Sequence, residues 1–237
     1  MENPLEVKGL TVAYSGLVAL WNISLTVPRG SLTAVVGPNG AGKSTLIKAV
    51  QNLVPRAAGE VRIFGKLYDE LRKSVAYVPQ RGNVDWNFPA SVFDVVQMGT
   101  YASLGWMKRP GEIERRKTFA ALERTAMEEF ADRQIGELSG GQQQRVFVAR
   151  ALVQDADLYL MDEPFQGVDS VTEITIANIM REMSRNGKTM IVVHHDLQTV
   201  PDYFDRAALI NREIVACGAV SEVFNGENIG VTYGAGG

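Results

Sequence analysis

Apolar and polar positions alternate over residues 10–14 and 20–27, and both stretches are rich in β-branched side chains, which predicts two strands. Pro28, Arg29 and Gly30 read as the turn that ends the second. Residues 31–36 form a short apolar run into a cluster of glycines, the signature of a buried strand. Helical spacing follows over residues 43–53 and is closed by Pro55 and Gly59. Two further strands are predicted over residues 60–64 and 75–78.

Between residues 91 and 138 the β-branched runs give way to Ala, Leu, Glu, Arg, Met and Lys, and apolar positions over residues 111–132 recur at helical spacing. This predicts a helical insertion that forms its own subdomain. Beyond it, helices are predicted over residues 142–153 and 171–184, and buried strands over residues 158–161 and 189–193. Strands that alternate with helices and are apolar throughout imply an α/β fold with a largely parallel sheet covered on both faces. No internal repeat or low-complexity tract interrupts the pattern, and the Gly-rich end, residues 234–237, is expected to fray.

Composition narrows the class. The chain has 237 residues, 46% hydrophobic and 22% charged, enough for a soluble globular protein that buries roughly 70–75% of its unfolded surface. A bilayer span needs about 20 consecutive apolar residues, and the apolar runs ending at Met161 and Val193 stop at a carboxylate and a histidine. Met1, Glu2, Asn3 and Pro4 lack the basic start and apolar run of a signal peptide. A net charge of −3 supplies no bulk attraction to nucleic acid or anionic lipid. The single cysteine, Cys217, cannot form an internal disulfide, and His194 and His195 are the only histidines. A reducing cytosol is therefore expected, without a zinc or iron site on this chain.

Chemistry concentrates in three places. Gly37-Pro38-Asn39-Gly40-Ala41-Gly42-Lys43-Ser44 has the form G-x-x-x-x-G-K-[ST] between a predicted strand and a predicted helix. Its backbone N–H groups and the helix terminus suit phosphate oxygens, Lys43 suits the β- and γ-oxygens, and Ser44 suits Mg²⁺. A glycine turn that merely capped a helix would not require Lys43 and Ser44. Second, the apolar strand 158–161 ends in Asp162 and Glu163. Asp162 suits Mg²⁺ through water, and Glu163 suits polarising a water for attack on the γ-phosphate; a solvated turn is the plainer alternative. Third, Leu138-Ser139-Gly140-Gly141-Gln142 opens a helix and forms a second anion-binding terminus, one more than a single ATP needs from one subunit.

The order of the phosphate loop, Gln80, residues 138–142, Asp162-Glu163, Asp169 and His195-Asp196 resembles the ATP-binding subunit of ABC transporters over nearly the whole chain. The resemblance implies an ABC-type P-loop NTPase with a RecA-like, mainly parallel sheet, an N-terminal antiparallel β subdomain and a helical insertion. It implies one ABC ATPase domain over residues 1–237, with residues 1–90 and 139–237 as catalytic core and residues 91–138 as helical subdomain. The implied ligands are ATP and Mg²⁺. Nucleotide contacts would come from Tyr14, stacked on adenine, from Gly37 to Thr45, and in trans from Ser139, Gly140, Gly141 and Gln142. Mg²⁺ would lie near Ser44, Gln80 and Asp162. Glu163, His195 and Gln80 would be catalytic, with His195 at the γ-phosphate and Asp169 on a loop crossing the dimer interface. His194 stands where the family often has a small hydroxyl residue, so no role carries over to it.

A narrower resemblance, to the ATPases of manganese, zinc and related divalent-metal importers, lies in residues 83–89, Val92, residues 94–96 and residues 98–101, together with Pro164-Phe165-Gln166-Gly167-Val168-Asp169 and His194-His195. The broader resemblance implies a homodimer formed on ATP binding, and the two together imply integral permease subunits and indirectly an extracytoplasmic metal-binding protein, with no nucleic acid. The chain would sit on the cytoplasmic face of a prokaryotic membrane, and Trp86 and Phe88 would dock the permease; the alternative for these aromatics is the core of the helical insertion. A siderophore or cobalamin importer ATPase is the nearest alternative, and a soluble non-transport ABC ATPase a more distant one. Glu163 and His195 argue against a catalytically silent binding module.

Overall fold

A computed structural model describes residues 2–83, 85–86, 88–104 and 108–234; Val84 and Asn87 of the segment after Gln80, and Ala235 to Gly237 of the Gly-rich end, lie outside the described residues. The chain runs β1 (Leu5–Tyr14), β2 (Leu17–Val27), β3 (Leu32–Val36), α1 (Lys43–Val50), β4 (Ala58–Arg62), α2 (Tyr68–Leu71), β5 (Val75–Val78), α3 (Val92–Gln97), α4 (Tyr101–Leu104), α5 (Glu112–Arg124) and α6 (Gly140–Val153). It continues with β6 (Leu158–Asp162), α7 (Ser170–Arg185), β7 (Thr189–Val193), α8 (Val200–Tyr203), β8 (Arg206–Asn211), β9 (Glu213–Ala219), α9 (Val220–Val223) and α10 (Gly226–Tyr233).

Two sheets result. The first is antiparallel in the order β2-β1-β4, and the second has the order β5-β6-β7-β3-β8-β9. Within the second, β5, β6, β7, β3 and β8 pair in parallel and only β9 pairs antiparallel. The period of two along its central strands divides the core. Leu32, Ala34 and Val36 of β3, with Met190 and Val192 of β7, face α6, α7 and the helical insertion. Val35, Ile191 and Val193 face α1 and the antiparallel sheet. Both faces being buried explains why these strands are apolar except at Thr33 and Thr189, which are buried as well.

Several boundaries move for local reasons. β1 begins at Leu5, five residues before the predicted strand, because residues 5–7 pair with β2 and Glu6 and Val7 pair with β4 as well. α1 stops at Val50 rather than residue 53, since Asn52 takes a left-handed φ of 57°. β4 occupies residues 58–62 rather than 60–64, because Ile63 and Lys66 bridge across a tight turn. The helix expected over residues 111–132 ends at Arg124, where Ala126 turns left-handed and Thr125 Oγ1 donates back to the carbonyls of Ala121 and Leu122. The β8–β9 hairpin goes beyond the sequence expectation, which has no strand after residue 193.

Candidate active site

The loop from Gly37 to Gly42 joins the end of β3 to the start of α1, and its backbone could be built from few other residues. Gly42 caps α1 with φ 94°, and a Cβ there would lie 2.4 Å from Leu20 Cδ2. A Cβ on Gly37 would lie 2.0 Å from the carbonyl oxygen of Ile210. Lys43 is 6% exposed and its Nζ donates to the carbonyls of Gly37 and Pro38 at 2.7 and 3.0 Å, closing the loop into a ring. Burial lowers the Lys43 pKa, against the pull of Glu163 and Asp162. The loop opens into a cleft of about 320 Å³ lined by Tyr14, Ala19, residues 39–45 and Glu163. Tyr14, 42% exposed, offers a ring to this space, and the first N–H groups of α1 have no intrahelical partner.

Asp162 ends β6 fully buried, and its Oδ1 accepts from Ser44 Oγ at 2.9 Å. Its other oxygen, Oδ2, is buried with no hydrogen-bond partner among the described residues. Burial raises the Asp162 pKa, and the Ser44 hydrogen bond opposes that shift. Glu163 follows in a left-handed conformation, φ 53°, held by its N–H donating to the Val193 carbonyl at 3.2 Å. Such backbone strain in a residue with a side chain costs of order 1–3 kcal/mol and collects at functional sites. The reversal carries the Glu163 side chain to the loop side, where Oε2 accepts from Gln80 Nε2 at 2.9 Å. The sheet order explains the meeting, because Gln80 follows β5, which lies beside β6.

A second constellation forms around the N-terminus of α6, outside this cleft. Ser139 and Gln142 make a reciprocal capping box: Gln142 N–H donates to Ser139 Oγ at 3.4 Å and Ser139 N–H to Gln142 Oε1 at 2.9 Å. Ser139 is exposed and Gly141 buried. Asp169 caps α7 through Thr172, which lowers its pKa, and its Oδ2 lies 3.4 Å from where a Cβ on Gly141 would stand. Arg81, next to Gln80, belongs here. Its Nε donates to Gln143 Oε1 at 3.1 Å, and its guanidinium occupies the space that a Cβ on Gly140 would need. No local spacing marks Arg81.

The remaining residues divide. His195 is exposed on the turn after β7, whereas His194 is 1% exposed. Trp86 packs edge-on against Phe147 at 5.2 Å and donates from Nε1 to the Arg81 carbonyl at 3.1 Å, while Phe88 is 54% exposed. The two aromatics therefore do not share one environment. Among the described residues no group of His, Cys, Asp and Glu is arranged to hold a metal ion, and no helix is long and apolar enough to cross a membrane.

A glycine loop between a parallel strand and a helix, facing a strand-end carboxylate, defines a P-loop NTPase fold. The chain belongs to the ABC transporter family, whose profile its residues 20–166 match. It is 56% identical to the zinc transport system ATP-binding protein TroB of Treponema pallidum (strain Nichols), covering 97% of this chain and 86% of that protein. With the manganese transport system ATP-binding protein MntB of Bacillus subtilis (strain 168) it shares 53% identity over 98% of this chain and 92% of the relative. Among solved structures, a dimeric post-hydrolysis state of an ATP-binding cassette bound to ADP and Pi superimposes with a TM-score of 0.81 at 29% identity, covering 91% of this chain and 98% of that one.

Proposed function

We propose that this chain is the ATP-hydrolysing motor subunit of a membrane importer for divalent metal ions of the manganese and zinc type. The observation that carries the ATPase is the pairing of Ser44 with Asp162 and of Gln80 with Glu163 beside the phosphate loop. Gly37 to Thr45 cradle the phosphates, with Lys43 leaving the loop carbonyls to meet the β- and γ-oxygens, and Tyr14 stacks on the base. The oxygens of Ser44 and Asp162, one of them buried and unpartnered, fit a hard cation such as Mg²⁺, with Gln80 at its edge. When bound, that ion would neutralise charge on the phosphates. Glu163 takes a proton from the water that attacks the γ-phosphorus, the bond to the β-phosphate oxygen breaks, and His195 contacts the γ-phosphate.

Ser139, Gly140, Gly141 and Gln142 serve the nucleotide of a second copy, a reading supported by their place outside this chain's own cleft. Asp169 beside Gly141 then lies on the homodimer interface. Residues 91–138 act as the helical subdomain of a single ABC ATPase domain, with residues 1–90 and 139–237 as its core. Phe88 meets the permease, so the chain works at the cytoplasmic face of the membrane alongside an extracytoplasmic metal-binding protein. The metal assignment rests on the likeness to the zinc and manganese system subunits. Co-expression with the permease subunits, reconstitution into vesicles and measurement of ATP-driven Mn²⁺ and Zn²⁺ uptake tests it. Hydrolysis without uptake of either ion overturns the substrate assignment and leaves the ATPase standing.

A further inference from the structure

His194 is a titratable side chain to which the chemistry above gives no task, yet it sits where four parts of the site meet. Its N–H donates to the Val35 carbonyl, one residue before β3 ends and the phosphate loop begins. Its neighbour Val193 accepts the N–H of Glu163. Its ring lies edge-on to Phe165 at 5.2 Å, just after Glu163, and 5.3 Å from Phe204. His195 follows it directly.

The surroundings of the ring favour one tautomer. Nε2 is 2.8 Å from Thr199 Oγ1, and Thr199 Oγ1 donates its own proton to the Asp196 carbonyl at 3.3 Å. With the hydroxyl proton on that carbonyl, Nε2 carries the hydrogen and Thr199 accepts it; with the proton turned to Nε2, the same contact forms in the other tautomer. Nδ1 is buried with no partner among the described residues, which a bare lone pair tolerates better than an orphaned N–H. Burial accordingly keeps the ring neutral, with its pKa brought down to about 4. The Gln198 N–H donates to Asp196 Oδ1 at 2.9 Å, so the turn from His195 to Thr199 is closed on itself and tied at its far end to His194.

We propose that His194 is a positioning residue that, through Thr199, holds the turn carrying His195 in its working orientation. The catalytic part of this rests on the reading of His195 as the γ-phosphate contact; the tautomer and the staple do not. A small hydroxyl side chain at position 194 would not span the distance to Thr199 that the imidazole bridges, so Thr199 and His194 act as a unit.

The test uses the full chain and changes Thr199 first, because it is smaller and less buried than His194. Thr199→Val removes the hydroxyl at nearly constant shape and should lower kcat about tenfold, the kinetic equivalent of one hydrogen bond, with KM for ATP changed less than twofold. Thr199→Ser should restore most of the rate. His194→Gln, which keeps a donor at the same reach, should lie near wild type, whereas His194→Phe should match Thr199→Val, and the double variant should be no slower than either. Nitrogen NMR of ring-labelled protein should find Nε2 protonated and Nδ1 bare at neutral pH. A protonated Nδ1 overturns the assigned tautomer, and a Thr199→Val chain with wild-type kcat overturns the staple. If His195→Ala itself turns over at the wild-type rate, the γ-phosphate reading fails, and the Nε2 resonance, which should move on Thr199→Val if the contact exists and stay in place if it does not, still decides the staple.

Discussion

Gln80 donates to Glu163 at 2.9 Å across a sequence separation of 83 residues, so the side chain proposed as general base is held by a residue on the neighbouring strand's loop. Exchanging the carboxylate for an amide, Glu163→Gln, keeps the shape and removes the proton acceptor. Steady-state hydrolysis should fall by roughly 10²–10⁴-fold while ATP binding is retained. With ATP persisting at the interface, the variant should accumulate as a dimer in ATP and Mg²⁺, as read by size-exclusion chromatography with light scattering. Wild-type turnover would show that Glu163 is not the base.

Lys43 closes the phosphate loop of its own chain, while Ser139 sits exposed on a separate helix terminus. Lys43→Ala and Ser139→Arg should each be nearly inactive. Mixed, they form a heterodimer in which one site carries both lesions and the other carries neither, so part of the ATPase activity should return. Heterodimer formation is measured on the same samples with differently tagged chains. Full activity of a chain shown to be monomeric would sink the shared site.

The split environment of Trp86 and Phe88 separates two effects that their sequence proximity would merge. Trp86→Ser removes the ring packed on Phe147 and should cost about 2–4 kcal/mol of stability, lowering the melting temperature by several degrees. Phe88→Ser, at a 54% exposed position, should leave melting and ATP affinity unchanged but weaken permease co-purification about thirtyfold, as loss of an interface anchor does. A Phe88→Ser chain that docks normally rules out its part in the interface.

Stability should also follow pH through His194. Burial brings its pKa down to about 4 from the 6.5 of a free imidazole, so between these limits the unfolded chain binds the extra proton. The contribution of the neutral ring is present in full above pH 6.5 and is lost as pH falls toward 4, at up to about 1.4 kcal/mol per pH unit. Urea unfolding at pH 7 and pH 5 should show a loss in the wild type that His194→Gln reduces. Equal losses in the two proteins would mean that the buried imidazole does not titrate this way.

The local chemistry of this protein was legible in its sequence. A glycine loop followed by Lys43 and Ser44, a carboxylate pair closing an apolar strand, and a helix opening at Ser139-Gly140-Gly141-Gln142 are each defined by neighbours a few residues apart. Backbone geometry at that range is nearly the same wherever the segment finally sits. The continuous apolar runs likewise declared strands buried on both faces. Boundaries drifted where single left-handed residues such as Asn52 and Ala126 end a helix, because an isolated non-glycine residue gives no compositional warning. Tertiary structure alone decided which local pieces meet. Placing β5 beside β6 brings Gln80 to Glu163, and the route from β3 into α1 brings Ser44 to Asp162 across 118 residues. Arg81 against Gly140, and the burial that leaves His194 neutral and tied to Thr199, belong to the same class. Strand order and burial are properties of the whole chain's packing, which no short window of residues contains.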